Sequence, residues 1–495
     1  MSKISDKDLP LWHELALRSD YAEFLAGKRR KPPTSGIVVH PDELLTAEAL
    51  FPFQRQVVAW AVGRGRAAVW ADTGLGKTRI EVAWLDQILA TVDGTGLILA
   101  PLAVAQQTIR EAHRMGINIA YVHDQTEVES AAVDGFRIVI TNYDRLAKFD
   151  LPSFVAVALD ESSILKAFSG VTKRAIVEGF KSTPFRLSAS ATPAPNDLEE
   201  LTNHADFLGI MTSQEMRSTF FIADSRGEFM KYRLKGHAAG AFYEWLASWA
   251  IACRHPRDLG FEQDGYDLPA LTIRDHLIET GWTAEGELFT PRLEGITARA
   301  QVRKDTLAER CAAAIELVCA EPDQQWIVWT GRNDESAAMA SGIADAIPGV
   351  TLAEVVGSDD ADVKAETLAA FAEREVQILV TKPSIAGAGL NFQSCARMVF
   401  VGLSDSYESY YQAIRRCWRF GQERPVDVHI VLADVESVIV ENVRAKERTA
   451  KSTTDGLIAA IATENRRELY AGTSKGDTYE PTKPLTLPDW LRSAA

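Results

Sequence analysis

Residues 67–84 read AAVWADTGLGKTRIEVAW: a short apolar run, a loop with two glycines, then a stretch of helical period. An apolar run of that length suits a buried strand, and the switch to 3.6-residue spacing suits a helix. The loop holds Gly74, Gly76, Lys77 and Thr78, with Ala71 where a phosphate loop often carries its first glycine. Glycines there let backbone N–H groups curl around phosphate oxygens, and the helix start adds positive potential. Thr73, Gly74, Leu75, Gly76, Lys77 and Thr78 are therefore the candidate nucleotide cradle. Lys77 is expected to reach the β- and γ-phosphates of ATP, and the Thr78 hydroxyl to ligate Mg²⁺.

Downstream, VAVALDESS places Asp160 and Glu161 at the end of a second apolar run. Ligands of parallel sheets bind at the carboxyl ends of their strands. Asp160 is expected to hold the Mg²⁺ shell, and Glu161 to orient and deprotonate the attacking water. Two acids alone could equally be a surface pair; their place after a phosphate loop favours catalysis.

Around these anchors, apolar runs alternate with helix-like segments: AAVWA, GLILA, FRIVIT, VAVALD and FRLSAS, then QWIVWT, VQILVT, RMVFVG and VDVHIVLA. Such alternation predicts parallel sheets with helices on both faces, here an α/β chain of two lobes. The expected division is an appendage over 1–40, a first lobe over 41–275 with a helical insertion at about 208–267, a linker over 276–305, a second lobe over 306–460 and a tail over 461–495. Trp245 and Trp249 in the insertion are expected in a core, while Trp490 or this pair could instead meet a partner. The basic run KRRKPP reads first as a solvated linker.

The net charge of −15 counts against a protein that coats nucleic acid non-specifically, but a basic cleft on an acidic body remains open. Five cysteines without a CxxC pair argue against a disulfide framework or zinc knuckle. No apolar run approaches membrane-spanning length and the start lacks a signal-peptide core, so the expected location is the cytoplasm of a bacterial or phage-infected cell.

Near the end, QAIRRCWRFGQ sets Gln412, Arg416 and Arg419 at helical spacing, with the two arginines on one face. With this stretch the motif order resembles that of the superfamily-two helicase-type ATPases, and specifically the Swi/Snf-type DNA translocases, over roughly residues 50–451. LFPFQRQ resembles the adenine-reading Q motif, ADTGLGKT motif I, LILAPLAVAQQTIREA motif Ia and ITNYDRL motif Ib. DESSILK resembles motif II, LSASATPAPNDLEEL motif III, IVWTGR motif IV, IAGAGLNFQ motif V and QAIRRCWRFGQ motif VI. LPALTIRDHLIE is similar to the stretch before the second lobe in the Swi/Snf branch. Ser163 stands where most of that branch has histidine, and ASATP replaces its usual motif III. The DESS form resembles compact phage-type versions.

The resemblance implies two tandem RecA-like lobes with ATP and Mg²⁺ between them. It implies that Gln54 contacts the base, with Gly389 and Gln412 completing the nucleotide site, and that Arg416 and Arg419 cross the cleft, Arg419 as arginine finger. It further implies coupling through Ser163, Ser190, Ala191 and Thr192. Nucleic-acid contacts are implied at Pro101, Thr141, Asn142, Tyr143, Thr330, Gly331 and Gly387. The function implied is a DNA-stimulated ATPase translocating on double-stranded DNA, with a protein partner in replication, repair or defence left open. A strand-separating helicase, a single-strand translocase and an ATP-gated recruitment module are the alternatives.

Overall fold

Residues 67–84 fold as the sequence predicts, with strand β1 (Arg66–Ala71) running through the loop into the helix Lys77–Leu89. The computed structural model describes residues 36–166, 170–194, 197–224, 231–280, 296–386, 391–403 and 406–471. The amino-terminal appendage up to residue 35, the basic run, Gly387, Gly389 and Trp490 lie outside the described residues.

The first lobe continues with β2 (Gly96–Ala100), β3 (Ile119–Tyr121), β4 (Ile138–Asn142), β5 (Ala156–Leu159) and β6 (Phe185–Ala189). β7 (Phe221–Asp224) and β8 (Lys231–Leu234) form an antiparallel hairpin, and β9 (Ala250–Cys253) returns to the main sheet. The resulting seven-stranded order is β3-β4-β2-β5-β6-β1-β9, parallel throughout. Alternate residues of β1 feed opposite cores: Ala68 and Trp70 pack on one face, Ala67, Val69 and Ala71 on the other. A strand buried on both faces has no polar alternation, which is why these runs read as continuous apolar blocks.

The second lobe holds β10 (Leu271–Ile278), β11 (Trp326–Thr330), β12 (Leu352–Val355), β13 (Ile378–Thr381), β14 (Arg397–Val401) and β15 (Val426–Ala433). Its order is β10-β15-β14-β11-β13-β12, again all parallel. The chain is thus two parallel α/β lobes of RecA-like form.

Three segments differ from expectation. The stretch about 208–267, expected as a helical insertion, contains the β7–β8 hairpin and β9; Val69 pairs with Ala189 on one side and Ile251 on the other. AFYEWLASWAIACRH begins in the helix Ala239–Ala247, as expected, but its end is β9, since a four-residue strand is too short to show periodicity and takes its place from pairing with β1. Trp245 and Trp249 in that stretch are core residues, as expected. LPALTIRDHLIE supplies β10, paired with β15 along its whole length, so the second sheet begins before residue 275. The expected tail from 461 begins instead inside one long helix, Ser437–Ala471. Val440 and Val443 of that helix pack in the second lobe, whereas Leu457, Ile458 and Ile461 pack in the first. Asn465 closes the open edge of β9, donating Nδ2–H to the Ala250 carbonyl (2.9 Å) and accepting from Ala252 N–H (3.2 Å). A covered edge cannot template further pairing. Among the described residues no helix is long and apolar enough to cross a membrane.

Candidate active site

Because the first sheet is parallel, the carboxyl ends of β1, β6 and β5 stand side by side, with β6 in the middle. Each delivers one catalytic-type segment to the same edge. After β1 the loop turns at Gly74 (φ 95°) and Gly76 (φ 79°), a region that favours glycine. A Cβ on Gly74 would stand 3.1 Å from the Phe420 backbone nitrogen of the second lobe, and one on Gly76 would collide with the Gln54 amide. Lys77 Nζ donates to the Ala71 carbonyl at 3.0 Å, folding the ammonium back over the loop.

After β5, Asp160 is buried and its Oδ1 accepts from Glu161 N–H at 2.9 Å. Burial, then the neighbouring Glu161 charge, pushes the Asp160 carboxyl up to about 7, while Lys77 and Arg416 pull it back. Glu161 itself sits at φ 51°, an uncommon conformation for a non-glycine residue and one that clusters at functional sites. Its Oε2 is buried without a hydrogen-bond partner, and so are both oxygens of Glu81, one helical turn after Lys77. Burial and the Asp160 charge push Glu81 well above the usual carboxylate range. Sequence reading had no reason to single out Glu81 from other helix positions.

Opposite this acidic edge lie Arg415, Arg416 and Arg419. Burial holds Arg416 below its ordinary value, with Glu161 and Asp160 pulling it back up. Burial, and then Arg416 and Arg415, push Arg419 down to about 9. A cavity of about 290 Å³ between the lobes is lined by Gly74, Gly76, Thr78, Arg419, Phe420 and Asn391, among others. Phe51 and Tyr266 line it too, and both rings meet Phe420 at centroid distances of 6.0 and 4.5 Å. Crowded guanidiniums would be relieved by a polyphosphate, and uncompensated buried carboxylates by a divalent cation. The residues present therefore fit ATP with Mg²⁺.

Other expected site residues have partners inside the protein. Gln54 is fully buried: its Oε1 accepts from Phe51 N–H and its Nε2 donates to the Leu75 carbonyl, both at 3.0 Å. It braces the phosphate loop, held there by the capping geometry of its own helix. Thr73 N–H is engaged by Asp72 Oδ1 at 2.6 Å, and Gln412 is half-buried with its carbonyl accepting from Arg416 Nε.

Of the expected nucleic-acid contacts, Pro101 is half-buried at the start of the helix Leu102–Arg114. Thr141 is enclosed, and Asn142 is buried, donating to Tyr121 and accepting from Asp144 N–H. Tyr143 donates its hydroxyl to the Asp160 carbonyl at 2.6 Å. Tyr143, which follows β4, thereby ties that end of the strand to motif II, whereas the Thr141 hydroxyl is buried without a partner. Thr330 is likewise enclosed, and Gly331 N–H donates to Glu335 Oε2 at 2.8 Å; both border a cavity of about 160 Å³ with Lys382 and Ser384.

Among the coupling candidates, Ser190 Oγ accepts from Thr192 N–H at 3.1 Å, and Ala191 is half-buried between them. Ser163 donates across the cleft to Glu408 Oε1 at 3.0 Å. A chain that sequence reading missed joins motifs II and III: Ser188 Oγ lies 2.9 Å from Ser162 Oγ and 2.8 Å from His204 Nδ1. His204 Nε2 lies 3.0 Å from the Pro193 carbonyl. A carbonyl only accepts, so Nε2 carries the proton and Nδ1 accepts from Ser188.

Burial pushes His204 down from 6.5 to about 4. The unfolded chain therefore binds this proton first, and stability falls as pH drops from 6.5 towards 4, by up to about 3 kcal/mol. His204→Gln is expected to lose that part of the acid slope. Urea midpoints of both proteins at pH 7 and 5 check it, and an unchanged pH difference would reject the assignment.

The family profile described as DEAD/DEAH box helicase matches residues 51–201, and the helicase conserved C-terminal domain matches residues 309–421. The chain is also 23% identical over 456 residues to protein p41 of Acyrthosiphon pisum secondary endosymbiont phage 1, covering 80% of this chain and 95% of that protein. One profile falls on the lobe with the phosphate loop and the acidic pair, the other on the lobe with the arginines. The two matches and the paired RecA-like lobes make this chain an ATP-hydrolysing helicase-type enzyme of superfamily two.

Proposed function

We propose that the chain is a DNA-dependent ATPase that translocates along double-stranded DNA. The observation that supports the reading is that the buried Arg416 guanidinium feels the charges of Asp160 and Glu161, next to an interlobe cavity that Gly74, Gly76, Thr78 and Arg419 line. In this reading Lys77 and the loop amides hold the phosphates, while Asp160 and Thr78 hold Mg²⁺, which supplies charge neutralisation. Glu161 orients the water and takes its proton. Arg416 and Arg419 stabilise the γ-phosphate charge as it develops. Loss of those contacts after hydrolysis opens the cleft, and alternating grip on phosphates turns opening and closing into movement. Preference for duplex DNA rests on the Swi/Snf-like motif order and on the LPALTIRDHLIE segment. Phosphate contacts would make binding salt-sensitive and largely blind to sequence.

The test is ATP hydrolysis without nucleic acid and then with duplex DNA, single-stranded DNA and RNA, followed by displacement of a triplex-forming strand. Stimulation by duplex together with triplex displacement is expected. Stimulation by single strands or RNA alone would overturn the duplex reading. Strand separation is the second reading. Efficient opening of tailed duplexes would favour it.

A further inference from the structure

The helix Tyr407–Ile414 leads into Arg415, and positions 408, 411 and 415 fall on one side of it at helical spacing. All three reach the first lobe. Glu408 accepts from Ser163 Oγ and pairs with Lys166 Nζ, both in motif II. Tyr411 donates its hydroxyl to Asp72 Oδ1 at 3.0 Å. Arg415 Nη2 donates to Asp72 Oδ2 at 3.0 Å and to the Thr73 carbonyl at 2.7 Å, in the phosphate loop. The Asp72–Arg415 pair is largely withdrawn from water, with side-chain exposures of 13% and 5%. Arg415 also stacks near the Trp418 ring at 5.0 Å. Glu408, Tyr411 and Lys166 are not among the groups assigned to phosphate, metal or water.

We propose that Glu408, Tyr411 and Arg415 form an interlobe latch that positions Arg416 and Arg419 against the phosphate site. The latch rests on the ATPase reading given above. Its two ends grip different segments of the first lobe, the phosphate loop through Asp72 and motif II through Ser163 and Lys166. Two such points fix both the distance and the rotation of the helix, which a single contact cannot do. Arg416 follows Arg415 directly, so any shift of the latch moves the guanidinium that faces Asp160 and Glu161. Misplacement of a catalytic group by about 1 Å costs on the order of 100-fold in rate. Glu408, Tyr411 and Arg415 are thus positioning residues, and Ser163 acts through Glu408.

A charge swap tests this in the full chain. Glu408→Lys and Lys166→Glu singly are each expected to lower kcat by about 100-fold, with the affinity for a fluorescent ADP analogue changed by less than about 3-fold. The double variant Glu408→Lys/Lys166→Glu is expected to recover most of the loss, since the pair reforms with reversed sign. Hydrolysis is measured with and without duplex DNA, so the outcome does not depend on which nucleic acid stimulates the enzyme. No recovery in the double variant, with each single protein melting at the wild-type temperature, would overturn the latch. Should the swaps fail to fold, Glu408→Gln and Tyr411→Phe replace them. Lower kcat at unchanged ADP-analogue affinity then supports the latch, and wild-type kcat in both refutes it. Lys77→Ala is run in parallel: wild-type hydrolysis by that variant would reject the ATPase reading itself, separately from the latch.

Discussion

Arg416→Ala is expected to abolish nearly all ATP hydrolysis, by about 10³-fold or more, while ATP still binds. An arginine that meets the transferring phosphoryl group is worth about 10³ to 10⁵ in rate, because it opposes charge that grows only in the transition state. Arg416 is buried and faces Asp160 and Glu161 across the cleft, where low solvent access strengthens that interaction. Arg419, which lines the interlobe cavity beside Gly74 and Thr78, is expected to behave alike. Glu161→Gln is expected to cost about 10² to 10⁴, the range for loss of a general base. Single-turnover hydrolysis with saturating ATP measures both effects. If Arg416→Ala and Arg419→Ala both retain more than a tenth of wild-type kcat, the cleft assignment fails. Arg416→Lys should not restore activity, since an ammonium lacks the planar fork of the guanidinium.

The second large effect is on stability. Arg310 is wholly buried in the second lobe, donating to Glu335 Oε1 at 2.9 Å and to the Arg303 carbonyl at 2.6 Å, with Glu436 Oε2 at 3.9 Å. Arg303 in turn pairs with Glu436 at 2.9 Å, and Glu335 holds the amides of Gly331 and Arg332. Arg310→Ala would strand Glu335 without its cation and leave Glu436 with Arg303 alone. Breaking one partner of a buried ion pair costs about 3–5 kcal/mol. The expected result is a second lobe that unfolds at distinctly lower denaturant than the first, seen as a biphasic urea transition. A wild-type transition in Arg310→Ala would show that the network contributes nothing. Arg310→Met with Glu335→Gln is expected to lose less than Arg310→Ala, since removing both charges avoids the stranded carboxylate.

These two effects differ in how legible they were. The arginines of motif VI could be read from the sequence because their spacing and order along the chain carry the signal. The Arg310 network could not, since Arg310, Glu335 and Glu436 are far apart in the chain and look like ordinary surface charges. The same contrast runs through the site. Lys77, Asp160 and Glu161 announce themselves at the ends of apolar runs, but Glu81 is one acid among many on a helix. Arg415 precedes an arginine of the expected pattern, and nothing local distinguishes it. Its importance comes from Asp72, which lies in the other lobe.

The sequence by itself determined the two parallel sheets, their main strands and the residues that build the phosphate loop, because doubly buried strands and glycine turns are local properties. Tertiary structure alone decided the inward roles of Gln54, Thr141 and Tyr143, which depend on what packs behind them. It also decided that β9 and β10 are sheet strands and that the helix Ser437–Ala471 returns to the first lobe. Short edge strands and long-range contacts take their stability from partners distant in the chain, and no local pattern encodes a partner.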